Sequence, residues 1–351
     1  WSGSVLADGS EMEALENRIA ELEALVHQLL QDKQAPAPAP AATASTADIE
    51  AKAEAAAEAK VVAMIEEHES AVAEETHKHS YKFGGYVKTD VIYSDYSSGS
   101  SSGAGRDFYI PGTIPVGDGS GESYLDFHAK ESRINFRSTH NLDNGAKLGT
   151  FIEMDFQLPA GGNERVSNSF APRVRHAFLT YNKWLVGQTW MTFFNVGALP
   201  ENLDFVGPAE STIFGRQPMI RYTSGPWQFA LENPETTITP YSGGSRIVAD
   251  DNTMPDAVLR YNMKGDWGSF VIAGLYRQLR YDDNSTIKDS TNSYGISLSG
   301  KFVFDNKDDF RWMASTGKGM GRYIGLNTAN GAVLDADGNL HAIDSTGVFG
   351  S

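Results

Sequence analysis

The sequence predicts an all-β antiparallel barrel that crosses a membrane, preceded by an α-helical coiled coil. Three observations carry that reading. From about residue 81 onward, polar and apolar residues alternate with a period of two, in segments of roughly 9–11 residues, the length of a tilted strand crossing the hydrocarbon layer. Short turns alternate with long loops over the same stretch. Aromatic residues flank the short turns in series: Tyr181 and Trp184, Tyr222 and Trp227, Tyr261 and Trp267, Phe304 and Phe310. Rings with an apolar body and a polar edge suit the depth of lipid headgroups, so the series reads as a girdle at the short-turn end. A soluble sandwich turns its apolar faces inward and has no need of a girdle.

Composition narrows the classes. The chain has 351 residues, no cysteine and a formal net charge of -16. Residues 1–80 hold 16 acidic and 5 basic residues, leaving 29 and 24 for the rest. The acidity is therefore mostly N-terminal, and a nucleic-acid partner, which requires a basic surface, is excluded. Without cysteine there is neither a disulfide framework nor a thiol nucleophile. No apolar run approaches the roughly 20 residues of a membrane helix, so a membrane would be crossed by strands. The sequence begins at Trp1 without a basic-then-apolar leader, and any signal peptide is expected to lie outside it.

The N-terminal elements follow in order. In residues 1–33, Met12, Leu15, Ile19, Leu22, Val26 and Leu29 keep a seven-residue a/d spacing, the pattern of a short parallel coiled coil. β-branched residues at a with Leu at d favour two strands. The run Arg18-Ile19-Ala20-Glu21-Leu22-Glu23 instead looks like a trimer motif, which makes Arg18, Ile19, Leu22 and Glu23 trimerisation residues. Only three heptads are present, so the helix requires association, either with copies of itself or by packing on its own domain. Residues 34–47 form an extended Pro/Ala linker, and residues 48–80 an Ala/Glu-rich helical spacer. His68, His77 and His79 invite a metal reading, but a solvated polar helix end accounts for them better.

Within the strand region, Phe83, Gly85, Val87, Thr89, Val91 and Tyr93 share one face, with Lys88, Asp90 and Ser94 opposite. Ser97 to Leu125 is a Gly/Ser loop. Arg133, Asn135 and Arg137 then oppose Ile134 and Phe136, and Asp143-Asn144-Gly145 supplies a tight turn into a strand with Glu153, Asp155 and Gln157 on its polar side. Arg173 to Thr192 is an antiparallel hairpin around Tyr181-Asn182-Lys183, with Arg173, Arg175, Ala177 and Leu179 expected on one face and His176, Phe178 and Thr180 on the other. Phe193 to Ser211 is a long loop. Hairpins turning near 224, 265 and 306 complete about eleven strands, ending near Thr316. Bacterial single-chain barrels have even strand numbers, so an eleventh strand would end outside the cell, with Gly317 to Ser351 as an extracellular loop and C-terminal strands missing from the sequence.

KFGGYVKTDVIYSDYSSG at Lys82 to Gly99, SRINFRS at Ser132 to Ser138, WLVGQTW at Trp184 to Trp190 and GRYIG at Gly321 to Gly325, together with the heptads and linker, resemble the DcaP-like trimeric outer-membrane porins. The resemblance implies a homotrimer of sixteen-stranded barrels in the bacterial outer membrane, with a periplasmic N-terminal region. Each barrel would be a diffusion channel for small anions such as dicarboxylates, narrowed by an inward loop at about Phe193 to Glu210.

The chemistry then rests on basic residues of the polar strand faces: Lys88, Arg133, Arg137, Arg173, Arg175, Arg216, Arg221, Arg260 and Arg277. A guanidinium stays charged and grips a carboxylate with two parallel hydrogen bonds. A row of them along a narrow lumen raises local anion concentration and repels cations. Glu201, Asp204 and Glu210 in the inward loop would oppose that wall and set a transverse field. Alternatively, several arginines pair with Glu153, Asp155 and Glu232 and only stiffen the wall. Gly317-Lys318-Gly319-Met320-Gly321 lacks the helix of a phosphate loop and reads as a strand end. Asp335, Asp337 and Asn339 lack the frame of a calcium loop and read as a turn. No nucleophile, base and oxyanion set is present, so neither enzyme activity nor a cofactor is expected. The rival reading is a structural envelope anchor or adhesin whose coiled coil reaches toward the cell wall. So many basic residues on polar faces, and a loop of inward-folding length, argue for a channel instead.

Overall fold

The computed structural model describes residues 78–351 apart from 118, 158–161, 164 and 204, and only the backbone of 162 and 163. The coiled coil with Arg18, Ile19, Leu22 and Glu23, the linker, most of the spacer with His68 and His77, and Asp204 lie outside the described residues.

Alternation of side chains yields a single antiparallel meander of twelve strands, each paired to its neighbours in chain order. They are β1 (His79–Tyr86), β2 (Arg133–Asn141), β3 (Lys147–Asp155), β4 (Arg173–Tyr181), β5 (Trp184–Trp190) and β6 (Arg216–Ser224). The second half comprises β7 (Trp227–Glu232), β8 (Asp256–Gly265), β9 (Gly268–Asp282), β10 (Lys288–Val303), β11 (Asp309–Lys318) and β12 (Asp344–Gly350). β1 and β12 are the two edges of this sheet. Turns are tight at one end. Asn182 turns the β4–β5 hairpin at a φ of 51°, and its Oδ1 accepts from the Lys147 amide at 3.1 Å, tying two neighbouring turns together.

One face of the sheet is apolar and exposed: Ile134, Ile152, Leu179, Ile220, Leu259 and Ile296 are each more than 40% accessible. The opposite face is covered from within. Met191, Phe193, Phe194, Ile213 and Phe214 of the β5–β6 connection, and Met320, Tyr323 and Ile324 of the β11–β12 connection, form one buried cluster against Ala230, Val258, Ala273 and Met313 of the wall. Exposed apolar side chains outside and a filled polar-and-apolar interior are the reverse of a sandwich, as a lipid-facing sheet requires.

Three expectations are corrected. The sheet has twelve strands rather than eleven, because Asp344–Gly350 returns along β11; the odd count therefore gives no ground for inferring missing strands. The sequence DSTGVFG carries only two apolar side chains, Val348 outward and Phe349 inward, too few to register as alternation. The first strand does not run through to Ser94. It breaks at 87–89, and Asp90–Asp95 pairs with Ser123–His128 in a separate hairpin. Finally, the β3–β4 ladder shifts between Glu153 and Met154: Glu153 faces His176, but Met154 faces Val174, leaving Arg175 as the extra residue of a bulge. Arg173, Arg175 and His176 all turn inward, whereas Ala177 and Leu179 belong to the outer face.

Candidate functional site

The bulge concentrates charge on the inner face. Arg173 reaches Asp155 with Nε to Oδ1 at 2.9 Å and Nη2 to Oδ2 at 2.7 Å; Arg175 reaches Asp155 at 2.9 Å and Glu153 at 2.8 Å. Asp155 is fully buried and Arg175 is 2% exposed. Arg277 is likewise committed: Nε meets Asp256 at 3.2 Å, and its Nη atoms donate to the carbonyls of Glu235 and Gly319. Lys88 lies beyond β1 and pairs with Glu131 and Asp90. Arg173 and Arg175 thus stiffen the wall with Glu153 and Asp155, as the pairing alternative anticipates, whereas Arg277 and Lys88 pair with carboxylates it does not name. Among the described residues Glu232 accepts from no arginine: its donors are the Thr192 amide, Gln217 and Tyr323.

The other arginines keep an uncompensated charge. Among the described residues, Arg133, Arg137 and Arg216 form no ion pair and sit over aromatic faces. Arg133 lies 5.2 Å from the Tyr86 ring and 5.9 Å from Phe205, Arg137 4.9 Å from Phe151, and Arg216 4.4 Å from Trp190. Arg133 Nε and Arg216 Nη1 are buried without hydrogen-bond partners. Stacking holds a guanidinium in place without neutralising it. Arg221 and Arg260 bond to neutral groups: Arg221 to Thr192 Oγ1 at 2.8 Å and the Trp190 carbonyl, Arg260 to the Phe194 carbonyl at 2.6 Å and Asn262 at 2.8 Å. They clamp the start of the β5–β6 connection while retaining their charge.

That connection, residues 191–215, runs across the inner face. Phe205 meets Arg133 and Arg175 on one side, and the Leu199 carbonyl accepts from Arg311 of β11 at 2.8 Å on the other. It separates two cavities. One, of about 490 Å³, is lined by Tyr86, Lys88, Asp90, Arg133 and Phe205 toward the long loops. The other, of about 700 Å³, is lined by Trp190, Phe194, Arg221, Arg260 and Lys264 toward the short turns.

The acidic loop residues do other work. Glu201 bonds to Arg311, and Glu210 Oε1 accepts from the Gly112 amide at 2.9 Å. Arg311 ties the β5–β6 connection to β11 and is missing from the candidate set, although its parity with Met313 and Ser315 places it on the inner face. Asp335 spends its carboxylate on its own turn, accepting from the amides of Asp337 and Asn339 at 2.9 and 2.8 Å and from His341, which depresses its pKa. Lys318 ends β11, and the glycines after it begin a loop.

A family model described as DcaP outer membrane protein matches residues 59–344. No curated protein matches the sequence. Among solved structures, the outer membrane channel DcaP of Acinetobacter baumannii is similar over 78% of this chain and 74% of its own, with 20% identity and a TM-score of 0.59. A loop-deletion mutant of OmpT, an outer membrane protein of Vibrio cholerae, covers 69% and 70% at 11% identity and a TM-score of 0.41. A mutant of Rh. blastica porin covers 68% and 84% at 13% identity and a TM-score of 0.31. Of these, the first carries the fold comparison. The chain is a porin-type channel of the bacterial outer membrane, not an enzyme, and it belongs to the DcaP outer membrane protein family.

Proposed function

We propose that this channel passes small anionic solutes, dicarboxylates among them, in preference to cations. The observation that supports the reading is the division of the arginines: among the described residues, Arg133 and Arg216 stand on the inner face without a carboxylate partner, and Arg221 and Arg260 give their hydrogen bonds to neutral acceptors. Partly desolvated cations beside a narrow aqueous path attract anions and repel cations, and neutral ligation leaves them weak enough to release a solute. The segment from Phe193 to Glu210 serves as the constriction between two cavities, one of mixed charge with Arg133 above it and one lined by Arg221, Arg260 and Lys264 below. A dicarboxylate would pass from one side to the other by exchanging guanidinium partners.

The finer assembly belongs to the same proposal. Residues 1–33 trimerise the protein on the periplasmic side through Arg18, Ile19, Leu22 and Glu23, residues 34–47 and 48–80 space that bundle from the sheet, and the N-terminal helices reach toward the cell wall. The edges of β1 and β12 must be covered for the sheet to stand in lipid; sixteen strands is the number that the family resemblance implies.

Planar-bilayer recording of the full-length protein tests the reading. Under a salt gradient the reversal potential should have the sign of an anion-preferring pore, and a small dicarboxylate should produce transient blocking. A cation-preferring pore, or one indifferent to dicarboxylate, would overturn it.

A further inference from the structure

Two segments far apart in the chain fold against the wall as one body. The Phe214 amide donates to the Tyr323 carbonyl at 3.1 Å and the Gly325 amide to the Thr212 carbonyl at 3.0 Å, making Ile213 and Ile324 an isolated antiparallel bridge. The bonds flank the pair rather than join it, so it is of the non-hydrogen-bonded type, in which Cα atoms stand roughly 4.5 Å apart. The second segment reaches the wall because β10 and β11 set Gly295 opposite Gly317; a Cβ on either glycine would lie 2.6 Å from the Met320 sulfur.

Behind the joined segments lies Glu232, 1% exposed. Among the described residues it has no cationic partner. It accepts from the Thr192 amide at 2.7 Å, from Gln217 Nε2 and from the Tyr323 hydroxyl at 3.5 Å. The hydroxyl's single proton is shared between the two carboxylates, with the shorter branch of 2.9 Å to Asp256, and its oxygen accepts from Gln217 at 2.9 Å. A carboxylate held only by neutral donors is tolerated while those donors stay in place. One donor comes from each inward segment and one from the wall.

We propose that the Tyr323 hydroxyl latches both inward segments to the wall, and that the joined body, rather than residues 191–215 alone, sets the width of the channel and hides Glu232 from the lumen. Tyr323 is a positioning residue here: it acts by holding the segments. The proposal rests on the chain being a channel and is independent of which ion its wall favours.

Single-channel recording of the full-length protein tests it. Tyr323→Ala should raise the conductance and move the reversal potential toward cations, because Glu232 then faces water. Adding Glu232→Gln should return the reversal potential to the parent's value and leave the conductance raised. A folded Tyr323→Ala protein with parental conductance and selectivity overturns the proposal. A second measurement does not depend on that variant folding. The chain has no cysteine, and the bridge geometry suits a disulfide, so Ile213→Cys with Ile324→Cys should cross-link on mild oxidation and retain the parental conductance. Failure of the two cysteines to join in the folded protein, or a cross-linked protein with altered conductance, overturns the claim that the segments move as one body.

Discussion

Arg173 grips Asp155 with two parallel hydrogen bonds of 2.9 and 2.7 Å, and the bulge two residues further along β4 makes that grip possible. With an unbroken ladder, Arg175 would share its face with Ala177 and Leu179 and point into lipid. Asp155→Asn removes the charge shared by two guanidiniums, one of them fully buried. Breaking a buried pair from one side typically costs 3–5 kcal/mol; because Arg173 is partly exposed and Arg175 keeps Glu153, the expected loss is about 3 kcal/mol. A lower denaturant midpoint of the detergent-folded protein checks the stability. The same variant should shift the reversal potential further toward anions, since a negative charge leaves the inner face.

Arg133 separates charge from shape. Arg133→Gln should move the reversal potential toward cations and weaken blocking by dicarboxylates. Arg133→Lys keeps the charge but loses the planar fork and the stacking on Tyr86 and Phe205. It should therefore preserve the reversal potential while shortening each dicarboxylate block, and equal block times in Arg133→Lys and the parent would contradict a bidentate role.

The wall was legible because a strand's period is local: Ile134 and Phe136 against Arg133, Asn135 and Arg137 can be read from five consecutive residues, and the structure keeps that division. Parity carries no information about where a ladder slips, so the Arg175 bulge was invisible, and with it the facing of Ala177 and Leu179. Asp344–Gly350 was missed because glycine and serine give no apolar contrast. The Tyr323 network joins Gln217, Glu232, Asp256 and Tyr323 across more than sixty residues of chain to the last member, and no spacing rule reaches that far. Arg311 was within reach of parity, but its bonds to the Leu199 carbonyl and Glu201 of the inward segment were not.

Acid should loosen the first long loop before the wall. Asp107 ends the short helix Gly103–Asp107 and accepts from His128 at 3.1 Å and from Lys130. Burial pushes its carboxyl up, but the hydrogen bonds and charges of His128 and Lys130 outweigh burial and hold it below its ordinary value of 3.8. A folded-state pKa below the unfolded one stabilises the loop above the unfolded value, and that contribution is lost as pH falls through the folded value. Protease cleavage within residues 97–122 should therefore be flat above pH 3.8 and rise below it, provided an acid-active protease is used. Lys130→Gln brings the folded value closer to the unfolded one, so it should raise cleavage above pH 3.8 and flatten the rise below it; a rise of parental size would mean that Asp107 is not the group that titrates.

The girdle makes a separate, energetic prediction. Trp227 of β7 and Tyr261 of β8 are in register, with ring centroids 4.5 Å apart, and Trp184 of β5 meets Tyr222 of β6 at 4.8 Å. Each pair thus joins neighbouring hairpins across strands whose chain connection lies at the opposite end of the sheet. Tyr222 and Trp227, by contrast, flank one turn but belong to different pairs. Aromatic pairs of this kind are worth about 0.5–1.5 kcal/mol beyond the area they bury. A double-mutant cycle on Trp227→Ala and Tyr261→Ala, read from denaturant midpoints, should show coupling of about 1 kcal/mol, and the cycle on Tyr222 and Trp227 should show almost none. Equal coupling in the two cycles would mean that proximity to the turn, rather than the ring pair between hairpins, holds this end of the sheet together.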